Sequence, residues 1–341
     1  MFNQLKRSLF NWYLSQKNET WDVRQGIKVL IQTNQYFDRF SWEEVIKEIT
    51  GTHESIRFNI QFCNNKTALI KNFINADAAF IFGFSSYLAI NINQHKLIYF
   101  PIIGKEIFTN KRLPDSYLIK QPIGISSPAI AEYCLIMAIN YYRNFKYAFY
   151  YQKNRNWSQS LLLKNEYISI KKKIIGVFGV GNVGKLIASI FKNYGCQVYG
   201  LDNKCDASDN NIDKWFSINQ ISNFFSESDI IIISLPFNST TQNLITSKEL
   251  NYLDKSKLLI NISRGQIVNE LDLYNVLKTK SLGGAIVDTF IGEPLNKRNP
   301  FFKLDNIIIT PHIAGNINLF RKEIQIDFLN NIIDQINRNF L

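Results

Sequence analysis

The chain has 341 residues, 46% of them hydrophobic and 20% charged, which predicts about two domains and argues against wholesale disorder. Its formal net charge of +11 can favour nucleic acid, but the basic residues are scattered and no basic–aromatic motif occurs, so we interpret the excess as background composition. The chain has four cysteines without a C-x-x-C pair and only three histidines. We therefore expect no zinc site, no other metal site and no disulfide scaffold.

The N-terminal segment, residues 1–22, lacks the apolar core and cleavage site of a secretory signal. The apolar residues that fall at helical spacing are Phe2, Leu5, Leu9 and Trp12. They indicate a short helix packed on the protein or on a partner subunit, or alternatively a helix lying on a membrane surface. No apolar run reaches the ~18 residues of a transmembrane helix, so we expect a cytoplasmic protein without integral membrane contact.

Short apolar strands alternate with helical patterns between residue 27 and about residue 125. The predicted strands are 27–33, 78–83 and 96–103, and a helical pattern covers 42–50. This alternation predicts a small α/β unit.

A long helix is predicted over residues 128–142. Pro128 stands in its first turn, where the missing N–H costs nothing, and Ala131, Leu135 and Ala138 share one face. Because the helix follows a loop, it marks a domain boundary.

From residue 173 onward the alternation of strands and helices is stronger. The predicted strands are 174–178, 197–201, 229–234, 258–262, 284–288 and 307–310, and the predicted helices are 182–194 and 218–225. Short apolar strands alternating with helices indicate a parallel sheet covered on both faces. The sequence therefore predicts a doubly wound domain here.

A glycine-rich loop joins the first strand of this region to its first helix. Gly179, Gly181 and Gly184 form G-x-G-x-x-G, with Asn182 and Val183 between the last two. The first glycine permits a tight turn, the second lets the backbone approach a pyrophosphate, and the third lets helix and strand pack closely. The helix N-terminus then offers unpaired N–H groups to phosphates, so the loop predicts a dinucleotide site.

An acidic residue ends the next strand. Asp202 follows the loop at about the spacing where a carboxylate accepts hydrogen bonds from an adenosine ribose. It would also repel a 2′-phosphate, which favours NAD over NADP. The alternative for Asp202 is a solvated carboxylate at a strand end, and Lys204 could still tolerate a phosphate.

Three charged side chains each follow a later strand of the predicted sheet. Arg264 lies after strand 258–262, Glu293 after 284–288 and His312 after 307–310. Because ligands bind outside the carboxyl ends of parallel strands, all three should face the nicotinamide. An arginine can bind a carboxylate through two parallel N–H bonds, a histidine can exchange the hydroxyl proton, and a glutamate on its other ring nitrogen fixes the tautomer. The set is suited to a 2-hydroxy or 2-keto acid.

With these motifs, the sequence resembles the D-isomer-specific 2-hydroxyacid dehydrogenase family over about residues 98–329. The motifs that carry the resemblance are the glycine loop with Asp202, Leu235-Pro236 with Thr241, and the segments 261–265, 288–294 and 310–315. The resemblance implies an α/β fold of two domains, a Rossmann doubly wound sheet and a flavodoxin-like substrate domain. It places the NAD-binding domain at 126–315 and the substrate domain at 1–125, completed by 316–341.

The resemblance also implies site residues. Arg264, Glu293 and His312 would be the catalytic trio, and Asp288 would lie near the nicotinamide carboxamide. The predicted NAD-binding residues are Gly179, Gly181, Asn182, Val183, Gly184, Asp202, Pro236, Thr241, Ile262, Asp288 and Gly315. The region 126–145 corresponds to the helix that commonly carries the family's dimer contact, which predicts a homodimer.

The substrate domain departs most from the family pattern. The nearest match to the turn whose amides hold the substrate carboxylate is at Gly104 and Lys105, and with Arg264 these are the predicted substrate-binding residues. Our hypothesis is that Lys105 favours a second acidic group on the substrate; the alternative is that it points to solvent.

These observations predict an NAD(H)-dependent oxidoreductase that interconverts a small anionic 2-hydroxy acid and a 2-keto acid, with His312 as acid/base. The alternative is an NAD(H)-binding interaction or co-repressor-like module without catalysis. Turnover of a 2-keto acid distinguishes the two.

Overall fold

The computed structural model describes residues 26–53, 56–82, 95–101, 115–163, 169–206, 208–315 and 317–338. The helix predicted within residues 1–22 lies outside these ranges. The chain forms two compact units, which we call the first unit (Met1–Pro122 with Arg321–Leu341) and the second unit (Ile123–Phe320).

Both units are built from parallel strands and helices. The strands are β1 (Ile27–Gln32), β2 (Phe58–Cys63), β3 (Ala78–Phe80), β4 (Lys96–Tyr99), β5 (Tyr117–Lys120), β6 (Ile174–Phe178), β7 (Gln197–Leu201), β8 (Lys214–Phe216), β9 (Ile230–Ile233), β10 (Leu258–Asn261), β11 (Gly284–Val287) and β12 (Ile307–Ile309). The α-helices are α1 (Arg39–Thr52), α2 (Lys66–Phe73), α3 (Ser127–Tyr142), α4 (Phe145–Lys153), α5 (Gln159–Leu163), α6 (Asn182–Tyr194), α7 (Ile221–Glu227), α8 (Ser247–Leu250), α9 (Glu270–Lys278) and α10 (Arg321–Asn337).

The first unit contains a five-stranded parallel sheet in the order β2-β1-β3-β4-β5. This is the 2-1-3-4-5 order of flavodoxin-like folds. Helix α10 packs on α1, where the buried Gln325 Nε2 donates to the Ser41 hydroxyl at 3.1 Å. The C-terminal helix is therefore part of the first unit's core.

The second unit contains a seven-stranded parallel sheet in the order β12-β11-β10-β9-β6-β7-β8. Strand β9 shows why its apolar run predicted a buried strand: all four residues of Ile230–Ile233 are buried, as expected when helices cover both faces of the sheet. Helix α3 packs on α6, with Ala131, Cys134 and Ala138 in the same core as Ile187 and Phe191. The predicted doubly wound fold with a flavodoxin-like partner unit is confirmed.

Several predicted elements differ in extent or were missed. Strands 78–83 and 96–103 are shorter, ending at Phe80 and Tyr99, and the predicted helix 218–225 is a 3-10 turn, Ile218–Gln220, followed by α7. The strands absent from the prediction, β2, β5 and β8, are all edge strands of their sheets. These three strands contain polar residues, so they lack the continuous apolar run that marks a buried strand such as β9.

No helix within the described ranges combines the length and the apolar character that crossing a bilayer requires.

Candidate active site

The glycine loop has the geometry that its sequence predicts. Gly179 adopts φ +94°, which an L side chain rarely accepts, and a Cβ on Gly184 would lie 2.0 Å from the Gly179 carbonyl oxygen. A Cβ on Gly181, by contrast, would meet nothing within 4 Å. Two glycines are thus required by the protein's own packing, whereas the third leaves open space at the N-terminus of α6, where a phosphate group would bind.

Asp202 holds the loop after β7 against the glycine loop. One carboxylate oxygen accepts from the Val180 N–H at 2.8 Å, and the other accepts from the Lys204 N–H at 2.9 Å. Because each carboxylate oxygen has two acceptor positions, the side chain keeps capacity for ribose hydroxyls. Asn182 is exposed and Val183 half-buried in the first turn of α6.

Glu293 and His312 lie together beyond the carboxyl ends of β11 and β12. His312 Nδ1 is 2.8 Å from Glu293 Oε2, and Glu293 Oε1 accepts from the Phe290 N–H at 2.8 Å. Because an ionised carboxylate only accepts, Nδ1 carries the proton of this hydrogen bond and Nε2 is the ring atom left for a substrate. Both side chains remain partly exposed, so a ligand can reach them.

Asp288 fixes the loop that carries His312. Its carboxylate is 2% exposed and accepts from the Thr310 hydroxyl at 2.5 Å and from the N–H groups of Ile313 and Ala314 at 2.9 Å each. Its backbone carbonyl accepts from the His312 N–H at 2.9 Å. The described contacts of Asp288 are thus structural, while its expected contact with a nicotinamide carboxamide stays a prediction.

The loop after β10 places Arg264. The buried Asn261 side chain accepts from the Ser263 N–H at 3.1 Å and donates to the Arg264 carbonyl at 3.2 Å. Arg264 Nη1 donates to the Ser263 carbonyl at 2.9 Å. A Cβ on the next residue, Gly265, would lie 2.3 Å from the Phe290 carbonyl carbon. This close approach brings the arginine loop against the segment that binds Glu293.

The remaining predicted cofactor residues have structural roles in neighbouring loops. The buried Thr241 donates its hydroxyl to the Pro236 carbonyl at 2.8 Å and accepts from the Asn238 N–H at 2.9 Å, which closes that turn. Ile262 is buried, and a Cβ on Gly315 would come within 3.4 Å of Ile130 on α3. Gly104 and Lys105, the predicted substrate-binding residues, lie outside the described residues.

We searched the rest of the described residues for a metal site or a second ligand cavity. Among the described residues there is no cluster of His, Cys, Asp or Glu able to hold a metal ion. A cavity of about 480 Å³ lies near the amino ends of β11 and β12, between Tyr141, Lys255 and Ile307. None of the predicted site residues lines it, so it is separate from the His312 site.

Sequence reasoning did not identify three supporting residues. The motif at 261–265 includes Asn261 and Gly265, but the sequence does not show that Asn261 clamps the loop or that Gly265 packs closely on Phe290. Tyr133 belongs to no motif. Tyr133 reaches from α3 to Thr310, with the two hydroxyl oxygens 2.6 Å apart. Helix α3 carries three tyrosines, Tyr133, Tyr141 and Tyr142, so the sequence alone did not single out Tyr133.

Comparisons with known proteins identify the family of the chain. The family model described as D-isomer specific 2-hydroxyacid dehydrogenase, NAD binding domain, matches residues 135–314, more than half of the chain. The chain is 29% identical over 167 residues to D-3-phosphoglycerate dehydrogenase from Escherichia coli K12, a match that covers 47% of this chain and 40% of that protein. The aligned part of the chain thus spans less than half of that relative.

Solved structures extend the likeness to both units. A D-isomer specific 2-hydroxyacid dehydrogenase family protein from Aeromonas salmonicida superposes with a TM-score of 0.79 at 23% identity, covering 92% of this chain and 96% of the other. An NADPH-dependent glyoxylate/hydroxypyruvate reductase from Sinorhizobium meliloti, in complex with NADP and sulfate, gives 0.74 at 17% identity with the same coverage. At these identities the superpositions show the fold.

Proposed function

Since the chain belongs to the D-isomer specific 2-hydroxyacid dehydrogenase family, we propose that it is an NAD(H)-dependent oxidoreductase that interconverts a small 2-hydroxy acid and a 2-keto acid. The observation that carries the proposal is the hydrogen bond between His312 Nδ1 and Glu293 Oε2 at the sheet edge that also holds the glycine loop. The second unit would bind the cofactor, and the first unit would be the substrate domain.

The mechanism follows from what each side chain can donate or accept. The chemistry that a bound nicotinamide supplies is a hydride. In the reductive direction, protonated His312 donates from Nε2 to the substrate oxygen while the Glu293 carboxylate stabilises the imidazolium through Nδ1. In the oxidative direction, neutral His312 takes the hydroxyl proton at Nε2. Arg264 binds the substrate carboxylate and orients the reacting carbon.

A panel assay tests the proposal. The purified protein is incubated with NADH and a series of 2-keto acids, and NADH consumption is followed by its absorbance. We expect steady consumption with at least one acid. Tight NADH binding without consumption by any acid would contradict the enzyme and favour the non-catalytic module.

Gly181 offers a test of cofactor binding that leaves the fold intact. A Cβ at this position meets nothing within 4 Å and the backbone is at φ −83°, so Gly181→Ala should unfold at the wild-type temperature. The added methyl group would occupy the space proposed for the pyrophosphate, and we expect the Kd for NADH to rise about tenfold or more. Fluorescence titration measures the Kd, and thermal unfolding is the control. An unchanged Kd would place the pyrophosphate elsewhere.

We propose NAD as the preferred cofactor because Asp202 holds a carboxylate beside the glycine loop. Asp202→Asn removes the charge and keeps one acceptor oxygen, and we expect the ratio of kcat/KM for NADPH to that for NADH to rise about tenfold. Asp209→Asn, which removes the same charge from the loop that follows β7, is the matched control. Equal ratios in the two variants, or a wild type that prefers NADPH, would contradict the assignment.

The substrate class rests on charge. Arg264 supplies a cation at the edge of the sheet, and a small anionic 2-hydroxy or 2-keto acid is the ligand that we propose for it. Lys105 would extend the preference to acids with a second negative group. Equal kinetics of Lys105→Ala on neutral-tailed and doubly charged acids would remove that extension.

We propose a homodimer formed through α3 and the adjoining α4. Ile136 on α3 is 61% exposed and Phe149 on α4 is 59% exposed, and exposed large apolar side chains are typical of an interface. Ile136→Glu should shift the protein from dimer to monomer in light scattering, while Leu271→Glu, at a 68% exposed position on α9, should not. A wild-type monomer, or a dimer that survives Ile136→Glu, would contradict this surface.

We propose a reducing, cytoplasmic setting. Cys63, Cys134, Cys196 and Cys205 are all free thiols, and three of them are buried. Burial raises the pKa of Cys63 to about 11 and that of Cys196 to about 11, which keeps both thiols protonated and unreactive.

A further inference from the structure

A chain of hydrogen bonds runs from helix α3 to the loop that carries His312. The Tyr133 hydroxyl lies 2.6 Å from Thr310 Oγ1, and the Thr310 hydroxyl donates to Asp288 Oδ1 at 2.5 Å. Asp288 in turn accepts from the N–H groups of Ile313 and Ala314. The amides on the carboxyl side of His312 are thus connected to α3 through two hydroxyl groups and one buried carboxylate.

The direction of these hydrogen bonds is determined by the number of available protons. Thr310 has one hydroxyl proton, and the ionised carboxylate of Asp288 can only accept it. Thr310 Oγ1 therefore accepts at its other side, and the Tyr133 hydroxyl must donate. Burial raises the pKa of Tyr133, so its hydroxyl keeps this proton at any pH at which the enzyme works.

The loop needs such support because its backbone is unusual. His312 has φ +54°, a left-handed conformation that costs a non-glycine residue about 1 kcal/mol or more. Its own N–H is shared between the carbonyls of Asp288 and Thr310 at 2.9 and 3.1 Å. Without its anchors the loop would relax toward ordinary backbone angles and turn the imidazole away from its working position.

We propose that Tyr133 is a positioning residue for the His312 acid/base group, acting through Thr310 and Asp288. Tyr133 contacts the threonine rather than the reacting atoms, so its effect reaches catalysis only through the geometry of the loop. The inference rests on the proposed function of His312. It adds a residue outside the motifs that define the site.

The test compares two phenylalanine variants on the same helix. Tyr133→Phe removes the donating hydroxyl. Tyr142→Phe removes a hydroxyl that is buried yet has no hydrogen-bond partner within the described part of the chain, and it is the matched control. The first readout is amide hydrogen exchange of the segment 310–315, which needs no substrate. The second readout compares the change in kcat with the change in the Kd for NADH.

In Tyr133→Phe we expect the amide hydrogens of Ile313 and Ala314 to exchange about tenfold faster than in wild type. We also expect kcat to fall about fivefold to tenfold while the Kd for NADH stays unchanged. Tyr142→Phe should match wild type in both. Thr310→Val, which removes the middle hydroxyl, should exceed the effect of Tyr133→Phe, and Thr310→Ser should restore most of the protection.

Each outcome decides the inference. Exchange in Tyr133→Phe equal to that in Tyr142→Phe would overturn it, and so would faster exchange with an unchanged kcat. Absence of wild-type turnover with every acid would overturn the proposed function and with it the positioning of a catalytic His312 by Tyr133. The exchange data would then still show whether Tyr133 holds the loop.

Discussion

Replacing His312 by Ala should lower kcat/KM for the best 2-keto acid about 10²–10⁴-fold, the usual contribution of a general acid or base. The physical reason is that the variant has no group to donate a proton to the carbonyl oxygen as the hydride arrives. The Kd for NADH should stay within about twofold, because the imidazole bonds to Glu293 rather than to the glycine loop. Steady-state kinetics and fluorescence titration measure the two quantities.

Glu293→Gln is the companion to this variant. The carboxylate of Glu293 accepts from both His312 and the Phe290 N–H, whereas a glutamine offers one acceptor oxygen and turns the other contact into two facing donors. We expect a loss of about 10–100-fold, smaller than that of His312→Ala. Activity of His312→Ala equal to that of wild type would refute the acid/base assignment.

Replacing Arg264 by Ala should lower kcat/KM about 10²–10⁴-fold, because two charge-assisted hydrogen bonds to the substrate carboxylate are each worth about 1.5–3 kcal/mol. Arg264→Lys keeps the charge and loses the parallel pair of donors, so it should recover about tenfold of this loss and no more. The KM for the keto acid should rise, while the Kd for NADH stays unchanged.

The fold of Arg264→Ala is expected to be intact. Asn261 holds this loop through the Ser263 N–H and the Arg264 carbonyl, which the substitution does not remove. Thermal unfolding and NADH binding check this directly. A variant that folds, binds NADH and reduces the acid at the wild-type rate would show that Arg264 does not bind the carboxylate.

The central region of the second unit could be predicted from sequence residue by residue. The bounds predicted for β6, α6 and β7 are those of the structure. Continuous apolar runs mark the two buried strands, and Gly195, at φ +94°, ends the helix in the left-handed conformation that favours glycine. Here local conformational preference, burial and turn chemistry all indicate the same structure.

Three edge strands were missed, whereas the edge strand β12, an uninterrupted apolar run at Ile307–Ile309, was predicted. Strand β2 is half-exposed along most of Phe58–Cys63, and β8 spans only Lys214–Phe216. Strand β2 does alternate apolar and polar residues over Phe58–Phe62, a signal that the sequence analysis overlooked, whereas β8 is too short to show any pattern. Their pairing is determined by the neighbouring strands β1 and β7, which is information from the fold.

The sequence predicted the residues that would face a substrate, but not the hydrogen bonds that hold the His312 loop in place. The sequence placed Glu293 and His312 after adjacent strands, and the structure puts their side chains 2.8 Å apart. It could not reveal that Asp288 binds successive amides of the His312 loop, or that Tyr133 reaches that loop from α3. These contacts join segments that are distant in sequence, and they depend on side-chain orientation.

The most direct test of the proposed activity is an analysis of the product. The protein is incubated with NADH and its best 2-keto acid, and the 2-hydroxy acid formed is resolved by chiral chromatography and compared with the NADH consumed. We predict one 2-hydroxy acid per NADH and, where the product has a stereocentre, the D configuration that the family description names. NADH consumption without a hydroxy acid would contradict the proposed activity, and an L or racemic product would contradict its stereochemistry.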